Sequence, residues 1–147
     1  MTPSPEQLAT WLQTAAQILD GVSGQFIAGH RADSAVAKKG NDFATEIDLA
    51  IERRVVAELT ERTGIGVHGE EFGGEPVESE LVWVLDPIDG TRSFVGGRPI
   101  FGTLISLVED GVPVLGVIDQ PIIGERWIGA AGQSTLFNGQ PARTRKC

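Results

Sequence analysis

Trp83-Val84-Leu85-Asp86-Pro87-Ile88-Asp89-Gly90-Thr91 runs an apolar strand into two carboxylates and a glycine-led turn. Pro87 stiffens the turn between the acids, so Asp86 and Asp89, three residues apart, can face one point. Carboxylates are hard oxygen ligands suited to Mg²⁺ or Mn²⁺. Two such anions held a few Å apart without a cation repel strongly enough to raise a pKa. Behind them, Thr91 is placed to N-cap a helical turn through Arg92, Ser93 and Phe94, and Gly90 lets the backbone approach closely. Free N–H groups at such a start bind phosphate oxygens. The stretch therefore reads as a metal-plus-phosphate corner; the plainer alternative is an acidic loop with a cap.

Upstream, Glu70-Glu71 follows a short β-type segment, Ile65 to His68, and precedes Phe72-Gly73-Gly74. A Glu-Glu pair at a strand end is commonly a solvated edge. If this strand neighbours the one ending at Leu85, however, Glu70 completes a cluster with Asp86 and Asp89. Asp48 lies one turn into a helix that opens at Thr45, where its plainer role is to complement the helix dipole. Ile47, Ile51, Val55 and Leu59 fall four apart on that helix, which closes near Gly64. An earlier helix opens at Ser4-Pro5-Glu6-Gln7, a capping box with Pro at the first helical position. Its apolar stripe is Leu8, Trp11, Leu12, Ala15, Leu19, Val22 and Phe26, and it ends near Gly29. His30 to Asp42 reads as a loop or irregular hairpin.

Downstream the pattern is β-type: Leu81 to Leu85, Ile100 to Val108, Val112 to Ile118, Glu125 to Ala130 and Thr135 to Phe137. Asp110-Gly111 and Asn138-Gly139 are two-residue turn signals, which makes adjacent strands antiparallel hairpins. Gly73 to Ser79 is the most loop-like interruption. Two helices followed by a meander define an α+β fold with the helices packed on a largely antiparallel sheet. Trp83, Phe94, Phe101 and Trp127 are expected in the core, His68 as a packed or hydrogen-bonding residue, and His30 on loop surface.

Length and charge limit the remaining choices. The 147 residues, 41% hydrophobic, are enough for one domain with a sizeable core. A net charge of −8 is the wrong sign for gripping phosphate backbones, so nucleic acid is not an expected partner. No apolar run approaches a bilayer span, and the start carries neither early positive charge nor an apolar block, so the expectation is a soluble protein without a membrane partner. The single cysteine, Cys147, excludes an intramolecular disulfide and points to a reducing cytoplasm.

Asp42-Phe43-Ala44-Thr45-Glu46-Ile47-Asp48, Gly69-Glu70-Glu71 and the Asp86-Pro87-Ile88-Asp89-Gly90-Thr91 string, in this order and spacing, resemble the successive motifs of the inositol monophosphatase-like family. These are metal-dependent phosphomonoesterases. Phe137-Asn138-Gly139-Gln140 resembles that family's hairpin after its central strands. Gly116-Val117-Ile118-Asp119-Gln120-Pro121 and Glu125-Arg126-Trp127 look most like its histidinol-phosphatase branch.

The resemblance implies the N-terminal portion of a layered αβαβα sugar-phosphatase fold, with residues 1–147 as its N-terminal domain. It implies two or three Mg²⁺ ions, with Mn²⁺ an alternative. Glu70, Asp86 and the Ile88 carbonyl would hold one ion, while Asp86 and Asp89 would contribute to a second. The N–H groups of Gly90 and Thr91 would hold the substrate phosphate. Asp48 and the Thr91 hydroxyl, with Glu70 nearby, would orient or deprotonate the attacking water. Lys38, or Lys39 beside it, corresponds to a family lysine near the phosphate.

The implied substrate is a small phosphomonoester, histidinol phosphate first and inositol or related sugar phosphates as alternatives. A homodimer is an allowed assembly. The family's later Trp-Asp motif is not present, since Trp11, Trp83 and Trp127 are followed by Leu12, Val84 and Ile128. The resemblance therefore extends to the N-terminal half alone, which leaves an apolar sheet face uncovered. It also keeps open a non-catalytic domain that binds metal and phosphate. A haloacid-dehalogenase type of phosphatase fits less well, because its paired Asp residues lie two apart and its strands alternate with helices.

Overall fold

The structure, a computed structural model, describes residues 2–31, 36–39 and 42–146, with side chains outside 29–44. Helix α1 (Pro5–Arg31) opens on the expected capping box, the Ser4 N–H bonding Gln7 Oε1 at 2.9 Å and the Gln7 N–H bonding Ser4 Oγ at 3.2 Å. It runs through His30, which therefore sits on a helix and not in a loop. A hairpin of β1 (Val36–Lys39) and β2 (Asp42–Thr45) follows, the more regular of the two expectations for this stretch. Helix α2 (Glu46–Thr63) is capped by Thr45 and ends where Gly64 takes φ +70°, a left-handed conformation glycine adopts without steric penalty.

Two short strands, β3 (Val67–Gly69) and β4 (Gly73–Gly74), precede β5 (Leu81–Asp89). Helix α3 (Thr91–Val95) then leads to β6 (Gly102–Glu109), β7 (Val112–Gln120), β8 (Glu125–Ala130), β9 (Leu136–Phe137) and β10 (Gln140–Pro141). The last eight strands form one sheet in the order β10-β9-β8-β7-β6-β5-β3-β4, antiparallel except where β3 pairs in parallel with β5. Both expected tight turns carry positive φ at each central residue, Asp110 at 47° and Gly111 at 79°, Asn138 at 47° and Gly139 at 78°. This handedness matches the twist of the flanking strands.

Helices α1 and α2 lie on one face of the sheet. Leu12, Ala15, Leu19, Val22 and Phe26 from α1, with Ile51, Val55 and Leu59 from α2, close over Trp83, Leu85, Ile105, Leu107, Leu115 and Val117. Phe94 and Phe101 join this core edge-to-face at 4.9 Å. Trp127 does not, contrary to expectation. Its side of β8 faces away from the helices, where it packs on Phe137 at 4.5 Å and stays 39% exposed. That opposite face is an open groove of ≈ 660 Å³, with Val84, Leu104, Ile118 and Trp127 in its apolar lining and His68, Glu70 and Asp86 at its acidic end. Ile118 there is 46% exposed, so this apolar sheet face stands open among the described residues.

Candidate active site

A regular strand would send Asp86 and Asp89 to opposite faces, because side chains alternate with period two. Strand β5 avoids this with a bulge: Asp86 opposes Leu104 and Asp89 opposes Gly102, three steps on β5 against two on β6. Leu85 and Ile88, also three apart, accordingly both enter the core and turn the two carboxylates away from it. Buried Thr103 fixes the bulge, its hydroxyl donating to the Pro87 carbonyl at 2.8 Å. This bond carries β5 past Leu85, where the apolar run alone suggests an end, to Asp89.

The parallel pairing of β3 with β5 brings in the second motif. Gly69 stands beside Leu85 and the Glu70 N–H donates to the Leu85 carbonyl at 3.0 Å, so Glu70 emerges next to Asp86. Burial above all, then a hydrogen bond and charge from Glu70 and the charge of Asp89, push the Asp86 carboxyl up to about 8. These neighbours and the burial favour the protonated form of Asp86. Asp86 Oδ1 is buried without a hydrogen-bond partner.

Asp48 is fully buried and belongs to the capping box of α2. Its Oδ2 accepts the Thr45 hydroxyl and, at 2.9 Å, the Thr45 N–H; the Asp48 N–H returns a 3.2 Å bond to Thr45 Oγ1. Its Oδ1 has no partner. Burial raises the Asp48 carboxyl, the Thr45 bonds oppose the rise, and the charge of Glu70 adds to it.

Thr91 departs from its expected capping role. Gly90 is the N-cap, at φ +86°, and Thr91 is the first helical residue, its hydroxyl donating to the Ile88 carbonyl at 3.0 Å. The reason is steric: a Cβ at position 90 would meet the Ile100 carbonyl at 3.3 Å in a left-handed conformation, so the cap must be glycine. The Ser93 and Phe94 N–H groups are taken by the Gly90 carbonyl, at 2.9 and 3.1 Å, which starts the turn directly behind Asp89. Lys38 and Lys39 lie on β1 with side chains outside the described residues, as is Cys147 entirely. His68 has the expected hydrogen-bonding role, its Nδ1 2.9 Å from the Glu75 carbonyl oxygen.

Glu70, Asp86 and Asp89 thus meet electrostatically at one sheet edge, with Asp48 in range of Glu70. They do not close into a ligand cage: among the described residues no three His, Cys, Asp or Glu side chains group around one point. Glu70 and Asp89 are both solvent-exposed, while Asp48 and Asp86 are the more buried members. The donor set nevertheless fits a hard divalent cation, being all oxygen and including a buried Asp86 oxygen without a partner.

The motif reading missed Glu52 and Thr103. Glu52 is fully buried on α2, yet its position was readable, since it falls four residues after Asp48 and beside Ile51 on the buried stripe.

Solved structures with this architecture define its class, a layered α+β protein of the inositol monophosphatase fold. An inositol monophosphatase of Thermotoga maritima superposes with a TM-score of 0.82 at 31% identity, over 88% of this chain and 52% of that one. The extragenic suppressor protein SuhB of Bartonella henselae gives 0.83 at 26% identity, over 89% and 53%. The sequence profile of the inositol monophosphatase family matches residues 6–147, and the chain belongs to that family.

Among curated relatives, inositol-1-monophosphatase ImpA of Mycolicibacterium smegmatis is 58% identical over 137 residues, 93% of this chain and 50% of the relative. A histidinol-phosphatase of Mycobacterium tuberculosis is 43% identical over 103 residues, 69% of this chain and 40% of its own. The chain spans about half the length of the curated relatives it matches. Among the described residues no helix is long and apolar enough to cross a membrane.

Proposed function

We propose that residues 1–147 form the N-terminal domain of a Mg²⁺-dependent phosphomonoesterase, and that its substrate is an inositol phosphate. One observation carries the chemistry: Asp86, hydrogen-bonded to Glu70, keeps one buried oxygen without a partner, with Asp89 and a glycine-led helix start directly behind. Glu70, Asp86, Asp89 and the second lone pair of the Ile88 carbonyl would hold the ions. Mg²⁺ supplies charge neutralisation at the phosphate and acidifies water when bound.

The chain's own residues supply the remainder. Asp48, anchored through one oxygen by Thr45, keeps the other available as an acceptor for a proton from water. The Thr91 hydroxyl, already donating to Ile88, can accept from the same water and orient it. N–H groups of Gly90 and Thr91 take the phosphate oxygens, and by the resemblance Lys38 or Lys39 would add positive charge. No side chain has to carry the phosphoryl group covalently.

The substrate order follows the relatives. Two proteins named inositol 1-monophosphatases are 58% and 54% identical, against 43% for the named histidinol-phosphatase. This favours inositol phosphate over the histidinol phosphate that the β7–β8 residues suggested, and histidinol phosphate stands as the second reading. A reducing cytoplasm and a homodimer are the accompanying proposals, the first resting on the single cysteine and the second on the resemblance.

The test is phosphate release by the 147-residue chain from inositol 1-phosphate and histidinol phosphate, with excess Mg²⁺. Turnover that is faster on the inositol ester and abolished by Asp89→Asn is expected. A histidinol preference would reverse the substrate order, and Mg²⁺ binding without turnover would make the domain a non-catalytic binding module.

A further inference from the structure

Glu52 is a carboxylate with zero exposure in the middle of α2, and no step above uses it. Both its oxygens are spent on consecutive backbone donors: Oε2 accepts the Glu71 N–H and Oε1 the Phe72 N–H, each at 2.8 Å. These are the first two residues after Glu70. The next residue of α2 grips the same turn from outside, Arg53 lying 4.8 Å over the Phe72 ring. On the other side of Glu70, position 69 is glycine because a Cβ there would stand 2.0 Å from Glu52 Oε1. Glu70 is therefore bracketed. Its own N–H is bound to β5, the residue before it makes room for Glu52, and the two after it are hydrogen-bonded to Glu52.

Burying a charge is expensive unless it is fully hydrogen-bonded, and a neutral residue would fill the same volume without that cost. What a carboxylate provides is two acceptors at a fixed separation, bonded to two successive N–H groups of one turn. We propose that Glu52 is a positioning residue: it holds the Glu70–Phe72 turn in its ligand-presenting conformation before any cation arrives, so that α2 aligns Glu70 with Asp86. This deepens the function proposed above and rests on Glu70 and Asp86 being metal ligands. Residues that orient ligands from behind are worth about 10- to 100-fold in metal affinity. Glu52→Gln keeps the shape but turns one acceptor into a donor facing an N–H group.

The experiment has two arms on the full 147-residue chain. In the first, Mg²⁺ is titrated calorimetrically into wild type, Glu52→Gln and Glu70→Gln, with circular dichroism on each. A folded Glu52→Gln that binds Mg²⁺ at least about 10-fold more weakly supports the proposal. Unchanged affinity in that variant, with Glu70→Gln impaired, overturns the proposal alone. Wild-type affinity in Glu70→Gln, or no binding by wild type, removes the metal-site reading on which it rests.

The second arm needs no variant. Amide exchange at Glu71 and Phe72 is followed in metal-free wild type. Protection comparable to that of neighbouring β5 amides is expected, because the turn is already held. Free exchange that becomes slow only when Mg²⁺ is added would mean that the cation orders the turn, and would overturn the role given to Glu52.

Discussion

Asp86 owes its unusual character to position. The same aspartate on an open loop would ionise near its ordinary value of 3.8, whereas here burial and two neighbouring carboxylates move it to about 8. The sign of the stability effect follows. A carboxyl raised in the folded state favours folding while it is protonated, and that contribution is lost as pH rises from about 4 to about 8. Asp48, raised by burial, acts in the same direction. A chelator-treated sample is therefore expected to melt at a lower temperature at pH 8 than at pH 5, and added Mg²⁺ to restore more stability at pH 8. Paired thermal scans with and without Mg²⁺ check this, and Asp86→Asn should flatten the metal-free dependence.

Among the elements, α2 does more than cover the sheet. Its first turn presents Asp48 and its second the Glu52 carboxylate that meets the Glu71 and Phe72 amides, so one helix start sets two parts of the site. Thr45 anchors that start with three hydrogen bonds to Asp48. Thr45→Ala should cost about 1 kcal/mol of stability, measured by urea denaturation. It should also lower turnover more than this loss explains, because Asp48 is no longer held. At β5 the comparable device is the bulge secured by Thr103, without which the two aspartates would separate to opposite faces.

The molecule as a whole is tied together at the end of the sheet away from α2. Arg126 on β8 bonds Asp119 on β7 at 2.6 Å and Asp20 on α1 at 2.8 Å. Although burial works against its charge, these two acids hold the guanidinium above its ordinary value. The Asp20 side of this bridge is 67% exposed and contributes little, but the Asp119 side chain is 7% exposed and cannot be left alone. Arg126→Ala should destabilise the chain by about 3 kcal/mol, while Asp119→Asn with Arg126→Ala should recover part of that loss. Chemical denaturation of the single and double variants checks both.

What the sequence determined by itself is local chemistry: the capping box and stripe of α1, the opening and the closing glycine of α2, both two-residue turns, and the ordered acidic motifs that mark the family. These follow from residues a few positions apart, where periodicity, capping and turn preference act directly. Only the tertiary structure decided that a bulge re-aims Asp86 and Asp89, that Gly90 replaces Thr91 as the cap, that Trp127 faces outward, and that Glu52 sits beneath Glu70. Each depends on what stands opposite in another element, such as Thr103, the Ile100 carbonyl, Phe137 or the Glu71 and Phe72 amides. Packing between distant segments sets those partners, and no local pattern encodes it.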